Sequence, residues 1–153
     1  MPFYNRKPTR IPGYDYATPN YYFITICTYE KRCLFGTVEH LNIFGEIAKN
    51  DLLELPLHFR NVEIDNYIVM PNHIHAIIKL LDTKGEKKDL NTILGLYKSG
   101  VTRKIHKANS NTIVWQRSYY DHIIRNQKEY EQIWSYVQYN DQKWTEDQFY
   151  VLE

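Results

Sequence analysis

The chain has 153 residues, enough for one folded unit and too few for two. With 43% hydrophobic and 24% charged residues it lies in the globular range, which excludes disordered and collagen-like chains. Nineteen Lys and Arg against eighteen Asp and Glu leave a formal charge of +1, so any affinity for nucleic acid must come from how charge is arranged. Aromatic residues stand out at 15%, with fourteen Tyr, a content that suits either a stacking surface or an aromatic core.

In chain order, residues 1–19 read as an irregular basic arm carrying Arg6, Lys7 and Arg10, punctuated by Pro2, Pro8, Pro12 and Gly13. It lacks the apolar run of a signal peptide. No stretch elsewhere approaches the roughly 20 apolar residues that span a bilayer. Cys27 and Cys33 are too few for a disulfide framework and read as free thiols, so the expected setting is the cytoplasm. Tyr21 to Tyr29, rich in β-branched and aromatic residues, predicts a first strand. Apolar residues at near-helical spacing from Ile43 to Leu55 predict a helix that stops before Pro56.

Val62 to Val69 alternates as a strand. Met70-Pro71-Asn72 breaks it, because proline lacks a donor for the ladder and holds the preceding residue extended. His73 to Leu81 predicts the next strand, with Ile74, Ala76, Ile78 and Leu80 on one face and His73, His75, Ile77, Lys79 and Leu81 on the other. A helix is predicted from Leu90 to Lys107, weakened by Gly95 and Gly100, then an extended segment from Thr112 to Ile124 and a helix from Gln127 to Asn140. The order β, α, β, β, α, β, α, with a tight break between adjacent strands, predicts an α+β sandwich of ferredoxin-like type: a central antiparallel sheet with helices packed on it.

Chemistry gathers at His73-Ile74-His75. A period of two puts both imidazoles on one side of the strand, close enough to chelate one ion, although two core or surface histidines fit the same pattern. Tyr136 and Asn140, four apart, share a helix face. Taken alone, Tyr136 reads equally as a core residue with a satisfied hydroxyl, and Asn140 as a helix C-cap. Between Leu90 and Tyr120 there is no Asp or Glu, but there are Lys98, Arg103, Lys104, Lys107 and Arg117, while Glu129 to Glu153 holds six acids and one base. That segregation suits either a phosphate track or a solvated face. Arg117, Tyr119 and Tyr120 are candidates for stacking on unpaired bases, Trp115 and Trp134 are expected in the core, and His122 fits either a supporting role or a core position.

The segment Val69-Met70-Pro71-Asn72-His73-Ile74-His75-Ala76-Ile77-Ile78 resembles the His-hydrophobic-His signature strand of the HUH single-tyrosine transposases, and the chain looks closest to the REP-associated tyrosine transposases. Tyr22 to Thr28 resembles their first strand, Tyr97-Lys98-Ser99 their basic helix, Val114 to Arg125 their next segment, and Tyr136-Val137-Gln138-Tyr139-Asn140 their catalytic helix. The resemblance covers about residues 20–145, leaving 146–153 as a tail. It implies a DNA transposase that nicks and joins single-stranded or hairpin DNA, with Tyr136 as nucleophile and a divalent cation, Mg²⁺ or Mn²⁺, on His73, His75 and Asn140. It further implies a 5′-phosphotyrosine intermediate, action on the DNA of a bacterial nucleoid, and a monomer or homodimer. Family members commonly read Tyr-Ile-x-x-Asn-Pro, whereas Asp141 follows Asn140 here and becomes a second candidate for the third ligand. The rival expectations are a hairpin-binding module without turnover and a metal-dependent phosphodiesterase without a covalent intermediate.

Overall fold

β-branched and aromatic side chains lose little freedom in an extended backbone, and Tyr22 to Cys27 supplies six residues of such character or small apolar bulk. They form the inner part of β1 (Asn20–Cys27), one of the two middle strands of a four-stranded antiparallel sheet. The other strands are β2 (Val62–Met70), β3 (His73–Leu80) and β4 (Tyr120–Ile123), in the order β2-β3-β1-β4. The structure, a computed structural model, describes residues 10–152, so Arg6 and Lys7 of the basic arm lie outside the described residues.

β2 and β3 form a hairpin in which Met70 pairs with His73 across the two-residue turn Pro71–Asn72. Pro71 sits where no ladder donor is needed, and its carbonyl accepts from the amide of Phe35 at 3.0 Å, tying the turn to the body of the protein. Four helices follow from clear local signals. α1 (Ile43–Leu53) is capped by Asn42, α3 (Leu90–Ala108) by Asp89 and α4 (Gln127–Gln138) by Asn126, each side chain accepting from a backbone amide of the first turn. The helix expected to stop before Pro56 does so, but Pro56 then lies in the first turn of the short α2 (Leu55–His58), where its missing N–H costs nothing.

Apolar alternation along the sheet divides the interior. Tyr22, Ile24, Ile26, Ile74, Ala76, Ile78 and Leu80 point to one face and pack under α1 and α3. Phe23 and Ile77 point to the other and pack with Ile124, Ile133 and Val137 beneath α4. The α+β expectation is therefore met. The strand predicted from Thr112 is shorter than expected: Ser118 takes a left-handed φ of 67°, and only Tyr120–Ile123 joins the ladder. Trp115 reaches the larger core and Trp134 the smaller one, both half-buried. Among the described residues no helix is long and apolar enough to cross a membrane.

Candidate active site

β3 begins at His73, so the strand period sends His73 and His75 to the α4 face, next to Phe23 and Ile77. Both rings are fully buried, with centroids 4.5 Å apart. Asn72 Oδ1 lies 2.8 Å from His73 Nδ1. The Asn72 amide nitrogen donates to the carbonyls of Lys31 and Phe149 at 3.1 and 2.6 Å, so its oxygen is the acceptor and Nδ1 carries the proton. This leaves the Nε2 lone pair of His73 available, the arrangement a metal ligand needs. The Lys31 carbonyl is brought there by two successive left-handed residues, Glu30 (φ 53°) and Lys31 (φ 56°), backbone strain next to the histidines. His75 is held from β1: its Nδ1 is 2.9 Å from Oγ1 of Thr25, its register partner.

Burial pushes the pKa of His73 down to about 4, against the pull of the Asp147 carboxylate and the Asn140 amide beside it. Burial also lowers that of His75, and the neighbouring His73 adds to the shift. Both rings are neutral at pH 7 and can offer lone pairs.

Tyr136, half-buried on α4, brings its hydroxyl to 3.4 Å from His75 Nε2, a long contact, with the edge of its ring against Phe23. Asn140 is also brought in, by a route the helical spacing did not predict. α4 ends at Gln138, Tyr139 is its C-cap, and Asn140 opens a 3-10 segment, Asn140–Glu146. Asn140 is therefore not the cap, and it is not among the described non-glycine residues with positive φ. It is 3% exposed. Asp141 is exposed, and the carboxylate that reaches the histidines is instead Asp147, with Oδ2 at 3.6 Å from His73 Nε2.

Among the described residues six buried side-chain atoms lack a hydrogen-bond partner, and three of them meet here: His73 Nε2, Asn140 Oδ1 and Asp147 Oδ2. Each such atom costs about 1–3 kcal/mol if left unsatisfied. With Nδ1 protonated, His73 Nε2 and Asp147 Oδ2 are both acceptors, so they do not satisfy each other, and a cation suits both. Ligand atoms of His73, His75 and Asp147 lie within 4.8 Å of one another, so this group can hold a metal ion. Asp147 escaped sequence reasoning because it sits in the stretch read as a tail; no spacing motif links it to β3. Phe149 from that stretch is buried, its ring 4.8 Å from that of His73.

The other expected residues are dispersed. Lys98, Arg103, Lys104 and Lys107 lie on α3, which packs on the opposite face of the sheet from the histidines. Lys98 Nζ donates to the carbonyls of Gln116 and Ser118, and Lys104 pairs with Asp51. Arg103, Lys107 and Arg117 are exposed. Tyr119 is buried, with the Arg10 guanidinium 4.0 Å from its ring centroid, so no face of it is open for a base to stack on. Tyr120 is half-buried, 6.4 Å from Phe149, and flanks the histidines. His122 pairs with Glu129 at 2.8 Å, at the start of α4.

The antiparallel sheet thus presents two neutral buried imidazoles to a tyrosine on a covering helix. Residues 16–140 match the profile of the family described as "Transposase IS200 like", and the chain belongs to this transposase family. An uncharacterized Haemophilus influenzae protein is 36% identical, covering 97% of this chain and 94% of its own length. A second protein of that organism, described as a candidate REP-associated tyrosine transposase, is 28% identical over 84% of this chain and 74% of its own. The fold is also that of a REP-associated tyrosine transposase solved bound to a REP hairpin: TM-score 0.66, 20% identity, covering 88% of this chain and 73% of the other.

Proposed function

We propose that this chain nicks and rejoins single-stranded, hairpin-forming DNA, with Tyr136 as the nucleophile and with His73, His75 and Asn140 holding Mg²⁺ or Mn²⁺. The observation that carries the reading is the Tyr136 hydroxyl, 3.4 Å from His75, beside a buried cluster of unpartnered acceptor atoms on His73, Asn140 and Asp147. In the reaction the Tyr136 oxygen attacks the scissile phosphorus and loses its proton, and the bond from phosphorus to the 3′ oxygen breaks. The products are a 5′-phosphotyrosine and a free 3′-hydroxyl. Attack by another 3′-hydroxyl then reverses the sequence and joins the strands, so the phosphodiester energy is conserved and no nucleotide cofactor is consumed.

A phenol with a pKa near 10 is a poor nucleophile at pH 7, so the surroundings must favour its attack. A cation held by His73, His75 and Asn140 would supply Lewis-acid stabilisation of the charge that builds on the phosphate oxygens. The chain's own share is positioning. Phe23 against the ring of Tyr136 and the α4 backbone hold the oxygen beside the histidines, while Thr25 and Asn72 fix the imidazoles. The exposed Arg103, Lys107 and Arg117 are the proposed phosphate contacts, acting on nucleoid DNA in the cytoplasm.

The test is a trapping gel: full-length protein, a labelled hairpin oligonucleotide with a single-stranded flank, and Mg²⁺ or Mn²⁺, resolved under denaturing conditions. A covalent protein–DNA band is expected, absent in Tyr136→Phe and in EDTA. Binding without the band would make the protein a hairpin-binding module, and multiple-turnover hydrolysis without it a phosphodiesterase.

A further inference from the structure

We propose that Asp147 is an additional ligand of the same cation, so that the ion is gripped by β3 from one side and by the segment after α4 from the other. This rests on the metal reading of the histidine pair and extends it beyond the part of the chain that the family profile matches, which ends at residue 140.

The Asp147 side chain is 1% exposed. Its two oxygens have different fates: Oδ1 accepts from the Phe149 amide at 2.8 Å, whereas Oδ2 has no hydrogen-bond partner and lies 3.6 Å from His73 Nε2. That separation is too long for a hydrogen bond. It lies within the span of two ligands of one ion, since donor atoms about 2.1 Å from a common cation stand about 3 Å apart when adjacent in an octahedron and about 4.2 Å apart when opposite. A buried carboxylate oxygen aimed at a lone pair repels it unless something positive lies between.

The carboxylate is aimed by a built arrangement. The Asp147 amide donates to the Trp144 carbonyl at 3.1 Å, closing the 3-10 segment, and the Phe149 ring packs on His73. Asn72 joins both halves: its oxygen fixes the His73 proton on Nδ1 and its nitrogen donates to the Phe149 carbonyl. One side chain thus orients the imidazole and anchors the segment that delivers the carboxylate. The charge balance points the same way. His73, His75 and Asn140 are all neutral, whereas hard divalent cations favour a set that includes an anionic oxygen. A ligand on each side also ties cation binding to docking of the segment over the histidines, by simple linkage.

The experiment measures Mn²⁺ binding to the full-length protein by calorimetry and by the spin-resonance signal of free Mn²⁺. Asp147→Asn, which keeps the shape and the Phe149 hydrogen bond, is expected to weaken binding at least about tenfold. Affinity within twofold of wild type overturns the proposal. Should Asp147→Asn fail to fold, Asp147→Cys titrated with Cd²⁺ decides the matter. A cadmium–thiolate charge-transfer band beyond that of Cys27 and Cys33 in wild type supports direct ligation, and no added band overturns it. His73→Ala separates this inference from the reading beneath it. If His73→Ala abolishes Mn²⁺ binding and Asp147→Asn leaves it within twofold of wild type, only the Asp147 assignment falls; if wild type takes up no Mn²⁺, the metal reading itself falls with it.

Discussion

The two faces of the sheet are built on different terms. Under α1 and α3 the core is apolar, and two of its three buried tyrosines are hydrogen-bonded: Tyr97 donates to the Ala48 carbonyl at 2.7 Å and Tyr22 to that of Thr18 at 2.7 Å, while the Tyr119 hydroxyl has no partner. Under α4 the core is five buried apolar residues, and beside it stand two imidazoles, an amide and a carboxylate, all buried. The first face explains why the chain folds. Leaving His73 Nε2, Asn140 Oδ1 and Asp147 Oδ2 buried without hydrogen-bond partners costs free energy, so the second face is built against stability, and the two should respond to mutation in opposite ways.

The largest expected effect breaks the second face without touching the fold. Tyr136→Phe removes one oxygen and should reduce the covalent adduct by more than about a thousandfold, the scale seen when members of a catalytic unit are removed. Hairpin affinity and melting temperature should stay close to wild type. An undiminished adduct would move the nucleophile to another tyrosine, Tyr139 or Tyr130 being the nearest in sequence. His75→Ala should abolish cleavage in Mg²⁺ or Mn²⁺; cleavage that survives in EDTA would remove the metal from the mechanism.

The complementary change is made on the first face. Leu94→Ala, at a fully buried position on α3, should cost about 2–5 kcal/mol of stability, measured by urea denaturation. Its adduct yield per folded molecule should be unchanged. A drop in that yield would mean that the faces are coupled through the sheet.

Acid offers an intermediate effect. In metal-free protein the depressed pKa of His73 means that the unfolded chain takes up a proton below pH 6.5 while the folded chain resists until about 4. The unfolded state binds more protons in this window, so stability falls as pH falls from 6.5 to 4 and flattens below it. Between pH 6.5 and 5 the loss is about 2 kcal/mol. Melting curves in EDTA should show wild type losing more than His73→Asn over that interval, and equal losses would refute it.

How much of this could be read in the sequence differs between the faces for the same reason. Ile74, Ala76, Ile78 and Leu80 alternate with the histidines, so the period of β3 separates the apolar face from the chemical one, and the caps Asn42, Asp89 and Asn126 mark their helices locally. Asp147 is not legible that way. It arrives through a change from α to 3-10 geometry at Tyr139 and through long-range bonds such as Asn72 to Phe149. Tyr119 is closed to bases by a long-range contact, because Arg10, paired with Asp121 at 2.7 Å, lies over its ring. Charge segregation on α3 was visible as composition, but which face of the sheet α3 covers is set by topology.

That last point yields the smallest expected effect, and it sharpens the contrast between the faces. Arg103 and Lys107 are exposed on α3, away from the histidines, so they should act on DNA through charge alone. Each phosphate contact on a single strand contributes about 0.7 to the slope of log affinity against log salt. Arg103→Ala and Lys107→Ala should therefore each flatten that slope by about 0.7, equally for all hairpin sequences, and leave the adduct rate at saturating DNA unaltered. Lys98→Ala should behave differently. Its ammonium already bridges the Gln116 and Ser118 carbonyls, so its loss should loosen the loop leading into β4 and lower the melting temperature, with little change in the slope. Lys104, paired with Asp51, should fall between these. If Arg103→Ala instead changes which sequence is cut, α3 reads bases, and the DNA must wrap from one face of the sheet to the other.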